Sequence, residues 1–483
     1  MGTSRKIRVG AAQLPAIPLA RHAEALPLIA DAVAQAAARK LDLLVLPECA
    51  YPAYLLGSAA AYRASGAEDS AAFVDRIRDL ARKHQVALVC GFVDDRDGKL
   101  FNSAVVIDAT GRECGRQDKT FLWGDDNDYF THGTRLAPID TPLGKIGIVI
   151  CADARAPETA AGLVAAGARL IAIPTCWVNV ASEPGTYHNA QAEFMIAGRA
   201  LECRVPFVAA NKFGAESDAV GYCGMSVIYD AKAKQLAQAP PDAPALIDAE
   251  IKLAAPPKVE VPDWAQRRIF SGHAPVMPDA EALGPVRIAV VPQSCALPLQ
   301  EDENGIDMFQ RFAADGVQIV ATSLSDTGEA ERLETYGRSL GLSVVCFPFV
   351  ERLMVEQFGA FGCVGSEHVS SFVPTRYMAL DGASIVFVTG EEVPVPLLRT
   401  RAVENRIFIA AADHDSAVLI DPAGTVIHRA ASGSGEYIVA DIDLRQTACK
   451  EVFPKTDVWA QRRPQAYAEA FGAKILPSWH YAE

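Results

Sequence analysis

Three residues in the N-terminal half are of the types needed to transfer an acyl group. Glu48 follows a proline at the end of an apolar, strand-like run, Lys119 lies in a loop after a Gly-Arg turn, and Cys151 ends a second apolar run. A thiolate attacks a carbonyl carbon, a carboxylate moves protons, and a fixed ammonium stabilises an oxyanion. The three side chains are therefore sufficient in type for acyl transfer from an amide, and this scheme requires no histidine.

The position of Cys151 favours its role as the nucleophile. The segment after it resembles the start of a helix, and a helix N-terminus and a nearby cation both favour the thiolate form of a cysteine. The backbone N–H of Ala152 can hold a developing oxyanion, and Lys119 can supply a second contact to it. Glu48 can take the thiol proton and later give it to the leaving amine. We therefore expect a covalent acyl-enzyme on Cys151.

Alternating strand-like and helix-like segments must position these residues. Short apolar runs alternate along the chain with Ala-rich or amphipathic stretches that have a helical period. Such alternation is typical of an α/β fold in which helices cover a sheet. Glu48 and Cys151 each end one of the apolar runs, so we expect both at the ends of strands.

The chain also contains an internal repeat. The pentapeptide WAQRR occurs at Trp264–Arg268 and again at Trp459–Arg463, and other segments pair in the same order. We therefore predict two related domains, residues 1–270 and 286–483, joined by a linker at 271–285 that is rich in Pro, Gly and Ala. The second domain is shorter between its matching points, which indicates that it has lost a middle segment.

The order Glu, Lys, Cys in these contexts resembles the nitrilase superfamily of carbon–nitrogen hydrolases. As in family members, Glu48 follows a Leu-Pro pair, Lys119 begins a K-x-x-L segment, and Cys151 begins the segment C-A-D-A-R-A-P-E. The resemblance covers residues 5–270 strongly and residues 286–465 in a degraded form. It implies an α/β fold with two αββα sandwich domains in one chain, packed as an intramolecular pseudo-dimer like the two subunits of a family dimer.

One position departs from the family pattern. Members usually have a second glutamate shortly before an aromatic pair, where it positions the lysine, and this chain has Asp126 in that place. Aspartate keeps the negative charge but is one methylene shorter than glutamate. The resemblance therefore implies that Asp126 positions Lys119 if its loop lies closer to the lysine.

Three further residues are candidates for contact with the substrate. Arg155 can bind a substrate carboxylate in a bidentate way, or it forms a structural ion pair with Glu158. Trp177 lies where family members often place pocket residues, or it belongs to the core. His188 falls in a segment that is expected to be helical and borders the site in relatives, although a surface position fits it equally well. Cys176 is expected to be a buried core thiol.

The second half lacks the residues of the first. Leu324 stands in the position of Glu48. Ser366 stands in the position of Cys151, and the lysine segment has no counterpart. A serine hydroxyl without a base and a cation lacks activation, and a pairing of Ser366 with His368 is disfavoured because adjacent residues at a strand end point apart. We therefore predict a degenerate domain in the place of a second subunit, so that the protein is a monomer or a homodimer of pseudo-dimers.

The composition excludes several classes of function. The chain has 45 Lys and Arg against 59 Asp and Glu, and its net charge of -14 argues against a nucleic-acid or anionic-membrane surface. No apolar stretch has the length of a membrane span, and the 11 cysteines have no C-x-x-C spacing. No cluster in the sequence has metal-ligand spacing. We therefore expect a cytoplasmic protein that uses no cofactor or metal and acts on a small molecule.

These features together predict hydrolysis of a non-peptide C–N bond in a small amide or N-carbamoyl compound, with release of ammonia or an amine. An amide is favoured over a nitrile, because the segment after Cys151 resembles the amidase-like branches of the family more than the C-W-E segment of true nitrilases. Nitrile hydrolysis, acyl transfer to an acceptor other than water, and a catalytically weak binding or scaffold protein stay open as alternatives.

Overall fold

The chain divides into two compact units. A computed structural model describes residues 5–181, 183, 185–218, 220–271, 274–296, 305–324, 326–346, 351–355 and 359–473. Unit 1 comprises Met1–Val261 and Glu451–Glu483, and unit 2 comprises Pro262–Lys450. The two copies of WAQRR therefore fall in the units opposite to those expected from the repeat, the first in unit 2 and the second in unit 1. The predicted linker lies within unit 2, and its residues 272 and 273 are outside the described residues.

The first part of unit 1 contains most of its strands and helices. The strands are β1 (Arg5–Pro15), β2 (Leu43–Val45), β3 (Ala87–Arg96), β4 (Lys99–Ile107), β5 (Glu113–Asp118), β6 (Ile139–Thr141), β7 (Gly144–Ile148), β8 (Leu170–Pro174), β9 (Phe207–Ala210), β10 (Lys212–Ala215), β11 (Gly221–Cys223), β12 (Val227–Tyr229), β13 (Gln235–Gln238) and β14 (Ala245–Leu253). The α-helices are α1 (Ala25–Ala38), α2 (Ala59–Ala64), α3 (Ser70–His84), α4 (Asp126–Tyr129), α5 (Pro157–Ala165) and α6 (Ile196–Cys203). Short 3-10 helices cover Leu19–Glu24 and Cys151–Arg155, and a π-helix covers Gln191–Met195.

Two sheets form the centre of unit 1. One has the strand order β11-β10-β1-β2-β3-β4-β5, with β14 paired to β1, and the other has the order β13-β12-β9-β8-β7-β6. Helices α1 and α3 pack on the first sheet, α5 packs on β7 of the second, and strands β1 to β3 contact β8 and β9 across the interior. In α3, Phe73, Val74, Ile77 and Ala81 are buried at helical spacing, which gives the helix one apolar face for the sheet. The layers of unit 1 are therefore αββα.

Unit 2 has the following elements among its described residues. The helices are α7 (Asp263–Ile269), α8 (Gln293–Ala296), α9 (Met308–Ala314), α10 (Thr327–Ser339), α11 (Ser366–Val369), α12 (Val373–Leu380) and α13 (Val395–Asn405). The strands are β15 (Pro285–Val291), β16 (Ile319–Thr322), β17 (Ser343–Val345), β18 (Glu351–Val355), β19 (Gly359–Gly365), β20 (Ala383–Thr389), β21 (Phe408–Ala412), β22 (Ala417–Ile420), β23 (Val426–Ala430) and β24 (Ile438–Asp443). The last part of unit 1 then adds β25 (Glu451–Phe453), β26 (Thr456–Asp457) and α14 (Pro464–Ala470).

The topology of unit 2 repeats that of unit 1. One sheet has the order β17-β16-β15-β24, and the other has the order β18-β19-β20-β21-β22-β23. The second of these has the same strand directions as the unit 1 sheet in the order β6-β7-β8-β9-β12-β13. Helix α10 packs on β17, α12 packs on β19 and β20, and the sheets contact each other through β15, β16, β21 and β22. The predicted α/β fold with αββα layers is therefore confirmed for each unit. The pseudo-dimer packing stays a prediction.

The two units differ in the first sheet. In the sequence of unit 1, the strands β4 and β5 come between β3 and β6, and the loop that contains Lys119 follows β5 directly. In unit 2, the counterpart of β3 is β17, and the counterpart of β6 is β18, which begins only a few residues later. Among its described residues, unit 2 therefore has no counterpart of β4, β5 or the lysine loop.

Candidate active site

Cys151 lies on a tight turn just beyond the end of β7. Its φ of 44° is in the left-handed region, which residues other than glycine rarely adopt. A 3-10 helix begins at Cys151, so the N–H of Ala152 lies in a first turn, where backbone N–H groups have no acceptor within the helix. The side chain of Gln191 donates to the carbonyl oxygen of Cys151 at 2.7 Å. Gln191 therefore stabilises the turn, which contains both the thiol of Cys151 and the N–H of Ala152.

The carboxylate of Asp153 links this turn to the lysine loop. Its Oδ1 accepts the N–H and the hydroxyl of Thr120, at 2.9 and 2.8 Å, and the N–H of Phe121 at 2.7 Å. Its Oδ2 accepts the N–H of Ile150 at 3.1 Å. Burial raises the pKa of Asp153 to about 6, although these hydrogen bonds oppose the rise. Through these hydrogen bonds, Asp153 connects the residue before Cys151 to the two residues after Lys119.

Lys119 lies between two buried carboxylates. Its Nζ is 2.7 Å from Oε1 of Glu48 and 2.6 Å from Oδ2 of Asp126. All three side chains are fully buried. Asp126 is the first residue of α4, and its Oδ2 also accepts the N–H of Trp123 at 3.1 Å. The structure therefore places the shorter aspartate within reach of Lys119, as expected if its loop lies close.

Glu48 is held by its surroundings as well as by Lys119. A Cβ added to Gly91 of β3 would lie 2.6 Å from Cα of Glu48, so only glycine allows the backbone to approach this closely. Asn102 of β4 donates to Oε1 of Glu48 at 2.7 Å, and the thiol of Cys176 donates to Oε2 at 2.7 Å. Both partners fix the rotamer of the carboxylate and leave Oε2 on the side of the thiols.

The charges in this cluster stabilise one another. Burial alone would raise the pKa of Glu48, but Lys119 and the hydrogen bonds from Cys176, Lys119 and Asn102 lower that pKa below its ordinary value. Burial alone would lower the pKa of Lys119, but Asp126 and Glu48 raise it well above its ordinary value. Glu48 is therefore a carboxylate and Lys119 an ammonium at neutral pH.

The cluster contains a second thiol beside Cys151. A carboxylate oxygen of Glu48 and the Sγ atoms of Cys151 and Cys176 lie within 4.8 Å of one another. Cys176 is buried, as expected, but it also contacts Glu48, and its pKa is raised well above the ordinary value by burial, by Cys151 and by Glu48. It follows β8, the parallel neighbour of β7, and such strands end at the same edge of a sheet. That adjacency is the signal from which the contact could have been predicted.

Arg155 is buried against an aromatic stack. Its Cζ is 4.4 Å from the ring centroid of Trp123, and the same indole stacks on Phe453 at 5.2 Å. A cation–π contact of this kind fixes the guanidinium of Arg155 beside the indole of Trp123. The choice between a substrate contact and a structural role for Arg155 stays a prediction.

The other two candidates lie in different environments. Trp177 is only 1% exposed, and its backbone N–H donates to the side chain of Asn211. His188 is exposed, and its Nδ1 is 3.2 Å from a carboxylate oxygen of Glu193. The expectation that His188 is helical is wrong, because it lies in the loop before the π-helix at Gln191–Met195. Substrate roles for Trp177 and His188 stay predictions.

Residues 451–473, the last described part of unit 1, hold the loop that follows Lys119. The side-chain oxygen of Gln461 accepts the N–H of Leu122 at 3.1 Å, and the hydroxyl of Thr456 accepts the N–H of Gly124 at 2.7 Å. Both backbone groups are buried in the loop between Lys119 and Asp126. Sequence analysis missed these contacts, because nothing in the repeat indicates which unit the last segment packs on.

Ser366 occupies the equivalent place in unit 2. It begins α11 directly after β19, and its hydroxyl accepts the N–H of Glu391 at 2.7 Å. A cavity of about 720 Å³ beside it is also lined by Leu324 and Thr389. His368 is exposed, with its Nε2 3.6 Å from a carboxylate oxygen of Glu367, and it does not line this cavity. Among the described residues of unit 2, no carboxylate, lysine and thiol are grouped here.

The comparisons with known proteins concern mainly the first half of the chain. A family model described as carbon-nitrogen hydrolase matches residues 8–255, slightly more than half of the chain. The "Hydrolase in pqqF 5'region" of Pseudomonas protegens is 34% identical over 39% of this chain and 64% of its own length. An (R)-stereoselective amidase of a Pseudomonas species is 28% identical over 39% of this chain and 65% of its own length. The chain thus spans less than two thirds of the length of these two relatives.

Two further comparisons reach a larger share of the matched protein. The deaminated glutathione amidase of Yersinia enterocolitica is 24% identical over 50% of this chain and 87% of its own length. Among solved structures, an amidase from Nesterenkonia sp. is 23% identical, covers 50% of this chain and 89% of that chain, and has a TM-score of 0.44. Within the described residues, none of the helices is long and apolar enough to cross a membrane.

Proposed function

The chain belongs to the carbon–nitrogen hydrolase family, and on that premise we propose that it hydrolyses a non-peptide C–N bond in a small amide or N-carbamoyl compound. The observation that supports this proposal most is the meeting of Glu48, Lys119 and Cys151 from three distant segments in one buried cluster. Ionisable groups buried together are costly unless they are paired, so such a cluster is typical of a functional site.

The geometry supports the following sequence of steps. Cys151 gives its thiol proton to Glu48, and its sulfur attacks the carbonyl carbon of the amide. The ammonium of Lys119 and the N–H of Ala152 stabilise the oxyanion that forms. Glu48 then protonates the nitrogen, the C–N bond breaks, and ammonia or an amine leaves a thioester on Cys151. Glu48 next takes a proton from water, the hydroxide attacks the thioester, and the acid product leaves with the thiol restored.

The substrate class rests on the residues around Cys151 and on the names of two relatives. Both the (R)-stereoselective amidase and the deaminated glutathione amidase are named for action on amides. The nitrile alternative and acyl transfer to another acceptor remain possible outcomes of the test. The scaffold alternative has less support, because a protein without catalysis has no need to keep Lys119 buried between two carboxylates.

Intact-mass spectrometry of quenched reactions tests the proposal. The purified chain is mixed with a panel of small primary amides, N-carbamoyl compounds and nitriles, and released ammonia or amine is measured in parallel. We expect an acyl adduct on the wild-type chain and its absence in Cys151→Ala. The matched control is Ser366→Ala in unit 2, which should keep both the adduct and the turnover.

The panel also separates the alternatives. Turnover of nitriles but not amides would correct the substrate class. An acyl adduct that reacts with an added amine faster than it is hydrolysed by water would indicate acyl transfer. No adduct and no released ammonia or amine across the panel would contradict the proposal and favour a scaffold.

A further inference from the structure

Three side chains of metal-binding type meet at one point of unit 1. Glu48, Cys151 and Cys176 each offer one ligand atom, these atoms lie within 4.8 Å of one another, and all three residues are buried. It is the one such group found among the described residues. A search for metal-ligand spacing in the sequence could not find this group, because its three residues come from distant segments. Cys151 and Cys176 are both free thiols.

The size and type of this group fit Zn²⁺. Zinc binds thiolate sulfur at about 2.3 Å and carboxylate oxygen at about 2.0–2.2 Å, so ligands around a tetrahedral ion lie roughly 3.5–3.8 Å apart. The three ligand atoms already lie within 4.8 Å of one another. The contact between Cys176 and Glu48, now 2.7 Å, would lengthen by about 1 Å when the shared thiol proton leaves. Small rotations of the side chains are therefore sufficient.

The two oxygens of Glu48 have separate partners. Lys119 and Asn102 both bond to Oε1, and the thiol of Cys176 bonds to Oε2. An ion bound through Oε2 would replace the thiol proton and leave the pairing with Lys119 intact. Lys119 and Asn102 would then orient the ligating carboxylate from behind, as outer partners of metal ligands do.

The charge of the buried cluster also stays constant when zinc binds. Each coordinating thiol loses its proton to solvent, so one Zn²⁺ replaces two H⁺ on the sulfurs of Cys151 and Cys176. The total charge of the groups around Lys119 is therefore the same with and without the ion. A harder cation such as Mg²⁺ requires octahedral oxygen ligands, which this group does not offer.

We propose that Glu48, Cys151 and Cys176 bind one Zn²⁺ ion, and that the bound ion reversibly blocks the site by occupying both the nucleophile and the base. Binding of the ion does not depend on the function proposed above, whereas the inhibition rests on it. The fourth position of the ion is open to water, as in sites with three protein ligands. The reaction is Zn²⁺ plus two thiols giving a zinc dithiolate and two protons.

Competition with a chromophoric chelator tests the binding. The full chain, kept reduced with a phosphine under argon, is titrated with Zn²⁺, and Cys176→Ser is titrated in the same way. Serine keeps a hydroxyl donor for Glu48 but removes the soft ligand, so this variant should stay folded. We expect one ion per wild-type chain and a dissociation constant at least about 100-fold larger in Cys176→Ser, since even outer partners of a metal ligand contribute 10- to 100-fold.

Two more measurements make the result specific. Co²⁺ should give a thiolate-to-metal charge-transfer band in the wild type that falls to about half in Cys176→Ser, because one of two sulfurs is lost. Cys90→Ala, which removes a buried core thiol of the same unit, should keep the affinity of the wild type. No stoichiometric binding, or equal affinity in Cys176→Ser, would overturn the proposal.

The inhibition is measured separately on any substrate that the panel identifies. One equivalent of Zn²⁺ should abolish turnover of the wild type, and a chelator should restore it. The turnover of Cys176→Ser is compared with its own rate without metal. The same fractional inhibition of this variant should require a zinc concentration at least about 100-fold higher than in the wild type. Zinc binding without any turnover would contradict only the proposed function, and turnover without zinc binding would contradict only the metal site.

Discussion

Replacing Asp126 with asparagine isolates the role of the residue that departs from the family pattern. The substitution keeps the size of the side chain and one oxygen acceptor, but it removes the negative charge 2.6 Å from Nζ of Lys119. Glu48 remains as the second partner of the ammonium at 2.7 Å. Lys119 therefore stays charged and buried, and the change removes one of its two charge-assisted hydrogen bonds.

The size of the effect follows from that bond. A hydrogen bond to a charged group contributes about 1.5–3 kcal/mol, and part of it remains because an amide oxygen still accepts. The Oδ1 atom of Asp126 has no hydrogen-bond partner among the described residues, so the new amide N–H₂ group has room there but no acceptor. Loss of the whole bond would slow acylation of Cys151 about 13- to 160-fold, at about 1.36 kcal/mol per tenfold change. Because about half of the bond remains, we expect Asp126→Asn to acylate about 4- to 13-fold more slowly than the wild type.

The assay is the single-turnover rate of acylation, followed by release of the amine, together with kcat/KM and the melting temperature. Asp126→Glu is the matched control, because it restores the charge and adds one methylene to a packed site, which typically costs about 1–3 kcal/mol in stability. We expect it to acylate faster than Asp126→Asn even if it melts earlier. Equal acylation by the wild type and Asp126→Asn, with both folded, would refute the positioning of Lys119 by Asp126.

Two further substitutions test the surroundings of the site. Gln461→Ala leaves the buried N–H of Leu122 without its acceptor, so we expect kcat per active site, with the sites counted by the acyl adduct, to fall, and Gln461→Glu to restore it, because it keeps the acceptor; fewer active sites with an unchanged kcat per site would indicate loss of stability alone. The raised pKa of Asp153, about 6 against 3.8, means that its protonated form stabilises the fold at low pH and that this stability is lost as the pH rises through about 6. We expect the wild type to lose roughly 1 kcal/mol more stability than Asp153→Asn between about pH 5 and pH 7.5 in thermal unfolding, and parallel profiles would contradict this.

The main layout of the site could be predicted from the sequence because it depends on strand ends. Apolar runs predicted the strands before Glu48 and Cys151, and both residues lie just beyond such strands in the structure. The α/β class followed from the alternation of elements. These are local features, and local patterns of hydrophobicity are read directly from the chain.

The rest of the site depends on contacts between segments far apart in sequence. Asn102 reaches Glu48 from β4, and Gln461 reaches the lysine loop from the other end of the chain. A repeat shows that Trp264–Arg268 and Trp459–Arg463 are related, but not which unit each packs on. Asp126 could be predicted only in part. The sequence shows an aspartate at this position, but its distance to Lys119 depends on where α4 begins.

A missing segment, more than missing residues, distinguishes unit 2 from unit 1. Introducing a carboxylate at Leu324 and a thiol at Ser366 would supply two members of the triad, but no described segment of unit 2 corresponds to the loop after β5 that contains Lys119. That same loop in unit 1 is held by Thr456 and Gln461, which follow unit 2 in sequence. A chain cut after unit 2 would therefore expose the buried N–H groups of the lysine loop. We therefore expect the activity of unit 1 to depend on a segment that follows unit 2 in sequence.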